Sequence, residues 1–393
     1  MGYAFSGADI DYLRSDVGVA ALRETERLPL TKASMLTDVA LVRGRHGDRV
    51  GVLIETTTLR RRARAKISDA EGWLLTDDAV QQATPSVVAR RRAQRLAGRD
   101  VHDVTCSIGT ELAALVATPG AVLGSDLDPI RVLMAQHNVP AAGVFRADAL
   151  TPTTRGTVVL ADPGRRAGGR RTHDPEALEP PLSALLDVYA GRDLVVKCAP
   201  GLDYDRLGWD GEVEVVSVSG GVREACLWSP GLARPPVRRR ATVLAADGSG
   251  YDITDADPDD IEAAAPGAWL IDPDGAVVRA GLVRHYAAKH GLWQLDPRIA
   301  YLTGDSVPAG VNGFRVLDRI KYSEKVLRQA LTALDCGSVE ILVRGVDVDP
   351  AVLRPRLKLR GNLALSVIIT RIERSAVAFV CAAREPGDFR TNR

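Results

Sequence analysis

"VHDVTCSIGTEL", residues 101–112, reads as a buried β-strand that breaks into a turn of small residues and runs straight into a helix. Such a turn sets backbone N–H groups and the helix N-terminus at the C-terminal edge of a parallel sheet, where ligands bind in folds of this kind. Ser107 and Gly109 let a ligand lie close against the main chain. Gly109 is the one glycine of "CSIGTEL", so a dinucleotide-binding Gly-x-Gly-x-x-Gly reading fails.

From about 100 to 230 short apolar runs alternate with helical patterns: "VHDVTC", "AVLGSD", "GVFRAD", "TVVLADP", "DLVVKCAP", "VEVVSVSGG" and "EACLWSP". Strands spaced by helix-length segments predict βαβ units and a mostly parallel, doubly wound sheet. Only Gly220, Gly221, Val222 and Arg223 join the last two runs, too few for a parallel crossover, so an antiparallel hairpin is expected.

The chain has 393 residues, 46% hydrophobic and 26% charged, which is enough for two or three domains because single cores stop growing near roughly 250 residues. The division expected is a helical region over 1–95, the sheet domain over 96–235, a linker or accessory segment over 236–309 and an α+β domain over 310–393. The first region carries one strand candidate, "RVGVLIETT", followed by "LRRRARAKI", whose Arg60, Arg61, Arg62, Arg64 and Lys66 read equally as a solvated face or an RNA-facing patch. "ARPPVRRRATV" marks a boundary, an acidic loop-rich stretch follows, and Asp274-Gly275 reads as a turn between apolar runs. Fifty-one basic against fifty acidic residues leave a net charge of +1, so a polyanion would have to be met by a local patch. The five cysteines show no CxxC pair, which argues against a disulfide framework or a zinc site and fits a reduced compartment. Without a secretory pattern or a long apolar stretch, a soluble cytoplasmic protein with no membrane span and no metal is expected.

Carboxylates stand at the ends of successive strands. S-adenosylmethionine carries no phosphate, and Asp103, ahead of the turn, could receive its methionyl ammonium. Asp126, 23 positions later, lies near the roughly 20-residue offset at which a carboxylate reaches a ribose hydroxyl. Asp128 is the fallback. Asp148 could accept from the adenine amine while Ala149 supplies its backbone N–H. Each has a plainer reading: a turn cap, a helix start, a loop residue. In "ADPGRRAGG", Asp162 followed by Pro163 could accept a hydrogen bond from an exocyclic amine and free its nitrogen lone pair for a methyl group. Gly164 and Arg165 stand where amine-methylating base enzymes usually keep an aromatic. Arg165, Arg166, Arg170 and Arg171 form a basic loop that favours a phosphate-bearing substrate, or else a solvated loop.

"EGWLLTDDAVQQATPSVVARRRAQRL", "DVTCSIGTELAAL", "GSDLDPIRVLMAQHN" and "LADPGRRAGGRR" resemble, in order, the bacterial class I methyltransferases with a THUMP-like C-terminal domain, and more distantly trimethylguanosine synthase. The tail from "RVLDRIKYSEKVL" to "RLKLRG" resembles the THUMP-like segment itself. The resemblance spans roughly 70–235 and 310–390. It implies a Rossmann-like, mostly parallel seven-stranded sheet, S-adenosylmethionine as methyl donor, and an RNA substrate such as tRNA or rRNA held partly by the C-terminal module. It also implies that Gln82 and Thr84 contact methionine or substrate, and that Arg344, Arg354, Arg356, Lys358 and Arg360 reach phosphates unless they are merely solvated. Asp162-Pro163-Gly164-Arg165 lacks the synthase's cap-stacking tryptophan, so cap hypermethylation is not carried over.

Cys198, at the end of its strand, vaguely resembles the nucleophile of uracil C5 methyltransferases, which would need a depressed thiol pKa, with Lys197 as a possible cause. His102 reads as a packed strand residue, and His285 and His290 have the wrong spacing for a helical metal pair. The expectation is direct methyl transfer to an RNA base nitrogen. Its rivals are a non-catalytic RNA-binding scaffold, a methyltransferase on a small molecule or protein, and C5 methylation through Cys198.

Overall fold

In the computed structural model, which describes residues 2–68, 70–165, 175–308 and 311–386, seven strands lie side by side in the first of two units. They are β1 (Val101–Asp103), β2 (Val122–Asp126), β3 (Gly143–Arg146), β4 (Val158–Ala161), β5 (Leu194–Cys198), β6 (Glu212–Val218) and β7 (Gly221–Trp228). Their order is β3-β2-β1-β4-β5-β7-β6. Strands β1 to β5 pair parallel and β7 runs antiparallel to β5. Strands β1, β4 and β5 are buried at every position, as in a sheet covered on both faces, although β1 and β5 carry His102, Asp103 and Lys197 among their apolar residues. The turn between β6 and β7 is tighter than the sequence implied. Ser219 and Gly220 both take positive φ, 51° and 76°, as a two-residue hairpin connection requires.

Helices cover the sheet and brace its edge: α1 (Gly7–Arg14), α2 (Asp16–Glu26), α3 (Met35–His46), α4 (Val50–Ala63), α5 (Asp77–Gln82), α6 (Ser86–Arg95), α7 (Thr110–Leu115), α8 (Pro129–Asn138) and α9 (Leu182–Val188). The strand expected over "RVGVLIETT" is instead part of α4. Its β-branched residues are held helical by packing: Val52, Leu53, Thr56, Thr57, Leu59 and Ala63 are buried at helical spacing, and the Thr56 hydroxyl donates to the Val52 carbonyl at 2.7 Å.

Three of the five cations in the arginine run, Arg60, Arg61 and Lys66, cap carbonyls within this unit, while Arg62 pairs with Asp77 and Arg64 stays exposed, as the solvated reading has it. Arg61 donates to the carbonyls of Pro29 and Glu26 at 2.7 and 3.0 Å, beyond the end of α2 and at its last residue. Arg60 donates to the carbonyls of Trp73 and Gly72 at 2.9 and 2.8 Å and pairs with Glu26. Lys66 donates to the carbonyls of Val80 and Gln81 at 3.2 and 2.6 Å, closing the last turn of α5.

The second unit holds a sheet of β8 (Trp269–Ile271), β9 (Leu302–Gly304), β10 (Asn312–Lys321), β11 (Cys336–Arg344), β12 (Leu363–Ile372) and β13 (Ser375–Ala382), ordered β9-β8-β10-β13-β12-β11. Only the β11/β12 pair among these is parallel. Helices α10 (Glu324–Ala333) and α11 (Pro350–Arg356) pack on it through Leu327, Leu331, Leu353 and the adjoining Leu357. Two sequence expectations change here. Asp274, expected in a turn between apolar runs, caps a short helix, Gly275–Arg279, by accepting from the Ala276 amide at 2.7 Å. The boundary and acidic segments also contain strands, Arg239–Leu244 and Gly250–Thr254.

Arg61→Ala therefore lowers stability by about 1–3 kcal/mol, because charged donors leave carbonyls behind. Arg23→Ala, on the exposed face of α2, stays within about 0.5 kcal/mol. Urea unfolding followed by tryptophan fluorescence checks both, and equal midpoints for the two variants would refute the capping role.

Candidate active site

The C-terminal ends of β1, β2 and β4 open on a cavity of about 800 Å3. The turn after β1 is sewn to both neighbours: the Val104 amide donates to the Leu160 carbonyl and the Cys106 amide to the Ser125 carbonyl, each at 2.9 Å. Ser107 has a φ of 49°, and Gly109, at 91°, caps α7. A Cβ on Gly109 would stand 3.0 Å from Val139 Cγ2, so both backbone strain and packing demand glycine.

The cavity brings together Gln82, Thr84, Asp103, Ser107, Asp126, Asp148, Ala149 and Asp162. Gly109 and Pro163 shape the backbone beside it without lining it. Asp103 is 2% exposed, and its Oδ1 accepts from the Thr105 amide at 3.1 Å. Burial first, and then the neighbouring Glu111 carboxylate, push its acid up to about 8. It is the kind of acid that ionises when a cation arrives. Asp126 accepts from the amides of Ser107 and Asp128, both at 2.9 Å, which locks its carboxylate across the turn. Asp128 lines the same cavity but is committed to the N-cap of α8, accepting from Ile130 at 2.8 Å. Asp148 accepts from the Leu150 amide at 2.9 Å, and the Ala149 carbonyl accepts from the Tyr189 hydroxyl at 2.7 Å. Leu127, 62% exposed on the rim, adds an apolar face that sequence reasoning passed over.

A second feature, also unread in the sequence, underlies the floor. Lys197 of β5 is buried and its ammonium donates to Asp162 Oδ2 at 2.5 Å and to the Thr84 hydroxyl, with Glu111 at 3.4 Å. Glu111 pairs in turn with Arg92, and Arg92 with Glu224. Burial alone would lower the Lys197 ammonium, yet the carboxylates of Asp162 and Glu111 hold it above its ordinary value. Burial would raise Glu111, and Arg92 with Lys197 outweighs it to bring the acid down to about 2. The signal available was a lysine inside the apolar run "LVVKC".

Cys198 sits in the opposite environment from the one its nucleophile reading needs. Burial, then Asp162, push the thiol up to about 12, away from the depressed value that a nucleophile needs. His102 is buried in β1 between the hydroxyls of Thr154 and Ser125, each at 3.0 Å, and burial with Arg192 pushes it down to about 4.

Of the basic residues singled out, Arg166, Arg170 and Arg171 lie outside the described residues. The backbone of Arg165 forms a two-residue ribbon pair with Leu178. In the second unit, Arg344 is not a free phosphate ligand: it pairs with Asp272 at 2.7 Å and lies over the Tyr301 ring. Lys358 and Arg360 are exposed. Among the described residues no cluster of metal-ligating groups occurs, and no helix is long and apolar enough to cross a membrane.

The state of Asp103 has a consequence for stability. Its acid holds a proton in the fold up to about pH 8 but loses it near 4 when unfolded, so stability falls as pH rises through that window. Asp103→Asn keeps an acceptor for Thr105 and removes the effect. The variant's advantage in unfolding midpoint grows from pH 5 to pH 8, and a constant offset would rule the shift out.

Residues 311–383 match the THUMP domain-like family, and residues 7–63 match a domain of unknown function, DUF8688. An uncharacterized S-adenosylmethionine-dependent methyltransferase of Mycobacterium tuberculosis H37Rv is 55% identical over 354 residues, covering 87% of this chain and 98% of its own. Its counterpart in strain CDC 1551 / Oshkosh gives the same values. The crystal structure of an assigned methyltransferase from Porphyromonas gingivalis W83 superposes with a TM-score of 0.73 at 18% identity, over 97% of this chain and 99% of that one, a likeness of fold. With a relative of that identity along most of its length, the chain belongs to the S-adenosylmethionine-dependent methyltransferases, here of class I fold with a THUMP-like C-terminal domain.

Proposed function

We propose that the enzyme methylates a base nitrogen of structured RNA, such as tRNA or rRNA, with Asp162 orienting the acceptor. The observation that carries this reading is one cavity lined by the Asp162 carboxylate together with three strand-end acids suited to the donor, Asp103, Asp126 and Asp148. Asp103 receives the methionyl ammonium, Asp126 the ribose hydroxyls, and Asp148 with the Ala149 amide the adenine edge. Leu127 covers the adenine face. Gln82 and Thr84 close over the pocket, while Ser107 and Gly109 keep the turn low beneath it. When bound, S-adenosylmethionine supplies an electrophilic methyl group.

Asp162 is half-buried, with 42% of its side chain exposed, so it can face a substrate while Asp103 lies deeper. It accepts a hydrogen bond from the exocyclic amine and leaves the nitrogen lone pair free, with Pro163 fixing the backbone. Alignment of this kind supplies most of what a direct displacement needs. A base inside a helix has to be flipped out first. For holding RNA, support comes from exposed cations on the two THUMP-like helices and just after them: Lys325, Arg328, Arg354, Arg356, Lys358 and Arg360. Such contacts position a backbone without reading its sequence.

Calorimetric titration of S-adenosylhomocysteine tests the donor side. Wild type binds, and Asp126→Ala weakens binding at least tenfold with an unchanged circular dichroism spectrum. Ionisation of Asp103 against the ammonium releases a proton on binding at pH 7, seen as a buffer-dependent enthalpy that Asp103→Asn lacks. Transfer of labelled methyl to total RNA from a deletion strain, but not to RNA from the parent, tests the acceptor. Transfer to protein or small molecules alone would overturn the RNA reading.

A further inference from the structure

Asp162 does not stand alone at the cavity wall. Its amide donates to the Thr105 hydroxyl at 2.6 Å, and its Oδ2 accepts from the Lys197 ammonium at 2.5 Å. Among the described residues Lys197 is the one cation paired with it. Lys197 is itself only 6% exposed and clamped from the other side by Thr84, which follows α5, and by Glu111 of α7. A lysine held by three groups from three segments has little rotamer freedom left. Its ammonium therefore fixes which carboxylate oxygen is occupied, and leaves Oδ1 for an acceptor.

We propose that Lys197 is the positioning residue of the transfer step: it pins the Asp162 carboxylate by one oxygen and ties it through Thr84 to the segment that walls the donor pocket. This rests on the reading of Asp162 as the group that orients the acceptor. The chemistry favours the arrangement. A carboxylate must be ionised to accept from an amine on either oxygen, and an ammonium at hydrogen-bond distance in a buried site stabilises that form. The other charged or titratable groups around the pair are Asp103 of β1, Glu111 of α7, Arg92 of α6, Cys198 of β5 and Cys226 of β7. Arg92, the other cation among these, is taken up by Glu111 and Glu224, so the cation at Asp162 is Lys197.

The test uses the full chain with aspartate carboxyls labelled with carbon-13 and S-adenosylhomocysteine bound. The Asp162 resonance is identified by its loss in Asp162→Asn. In Lys197→Met its titration moves upward by a pH unit or more, and Lys197→Arg returns it most of the way. On deletion-strain RNA, Lys197→Met loses about a hundredfold in kcat, KM for the donor stays within threefold, and the acid limb of the rate profile moves with the carboxyl. An unmoved Asp162 titration in Lys197→Met overturns the proposal. So does a loss of S-adenosylhomocysteine binding equal to the loss of rate, which would make Lys197 a donor-site or folding residue. If wild type transfers nothing to RNA, the substrate reading fails, while the carboxyl titration still decides the role of Lys197.

Discussion

A buried chain of alternating charge organises the first unit: Glu224, Arg92, Glu111, Lys197 and Asp162, drawn from β7, α6, α7, β5 and the end of β4. Removing one member of such a chain leaves an uncompensated charge behind and costs about 3–5 kcal/mol. That cost ties five segments into one geometry. It also bears on the state of Asp103. The chain holds three carboxylates against two cations, and among the described residues Asp103 beside it has no ion-pair partner. Burial first, and then the Glu111 carboxylate, push its acid up to about 8, so that it keeps its proton. A ligand carrying positive charge supplies what the protein withholds, so the cavity is prepared electrostatically for a cation before its shape is considered.

The N-terminal helices serve the same site from behind. α5 carries Gln82, α6 carries Arg92 and the link between them Thr84, and α5 is only six residues long, too short to hold its place by itself. Arg62 pairs with Asp77 at its start and Lys66 closes its end. Arg60 and Arg61, one turn earlier on α4, fasten that helix to the end of α2 and to the loop at Trp73. Rigidity thus passes from the α2–α4 packing, through four cations, to the wall of the cavity.

Much of this was legible along the chain, and the missing parts share a cause. The strand-turn-helix at 101–112, the sheet around it and the acids at successive strand ends depend on local patterns and offsets, which a sequence displays. The role of Lys197 depends on Thr84, 113 positions away, and on Glu111, and no periodicity encodes such pairs. The run at 60–66 reads as surface because adjacent arginines usually are solvated. Its acceptors are backbone carbonyls, which no residue type announces. α4 misled for a different reason: Val50, Val52, Ile54, Thr56 and Thr57 favour strand by propensity, and burial of one helical face overrides that preference.

The absence of an aromatic after Asp162-Pro163 gains a physical context from the chain that follows. Gly164 pairs in a short antiparallel ribbon with Glu179, and this brings Glu179, Pro180 and Pro181 to the cavity. This wall of the cavity is therefore built from two segments rather than from one motif. Pro180 and Pro181 add apolar rings without a backbone N–H, so they bring no donor to compete for the Asp162 carboxylate. On the proposed role of Asp162, recognition would fall on the edge of the acceptor that donates to it, and less on stacking.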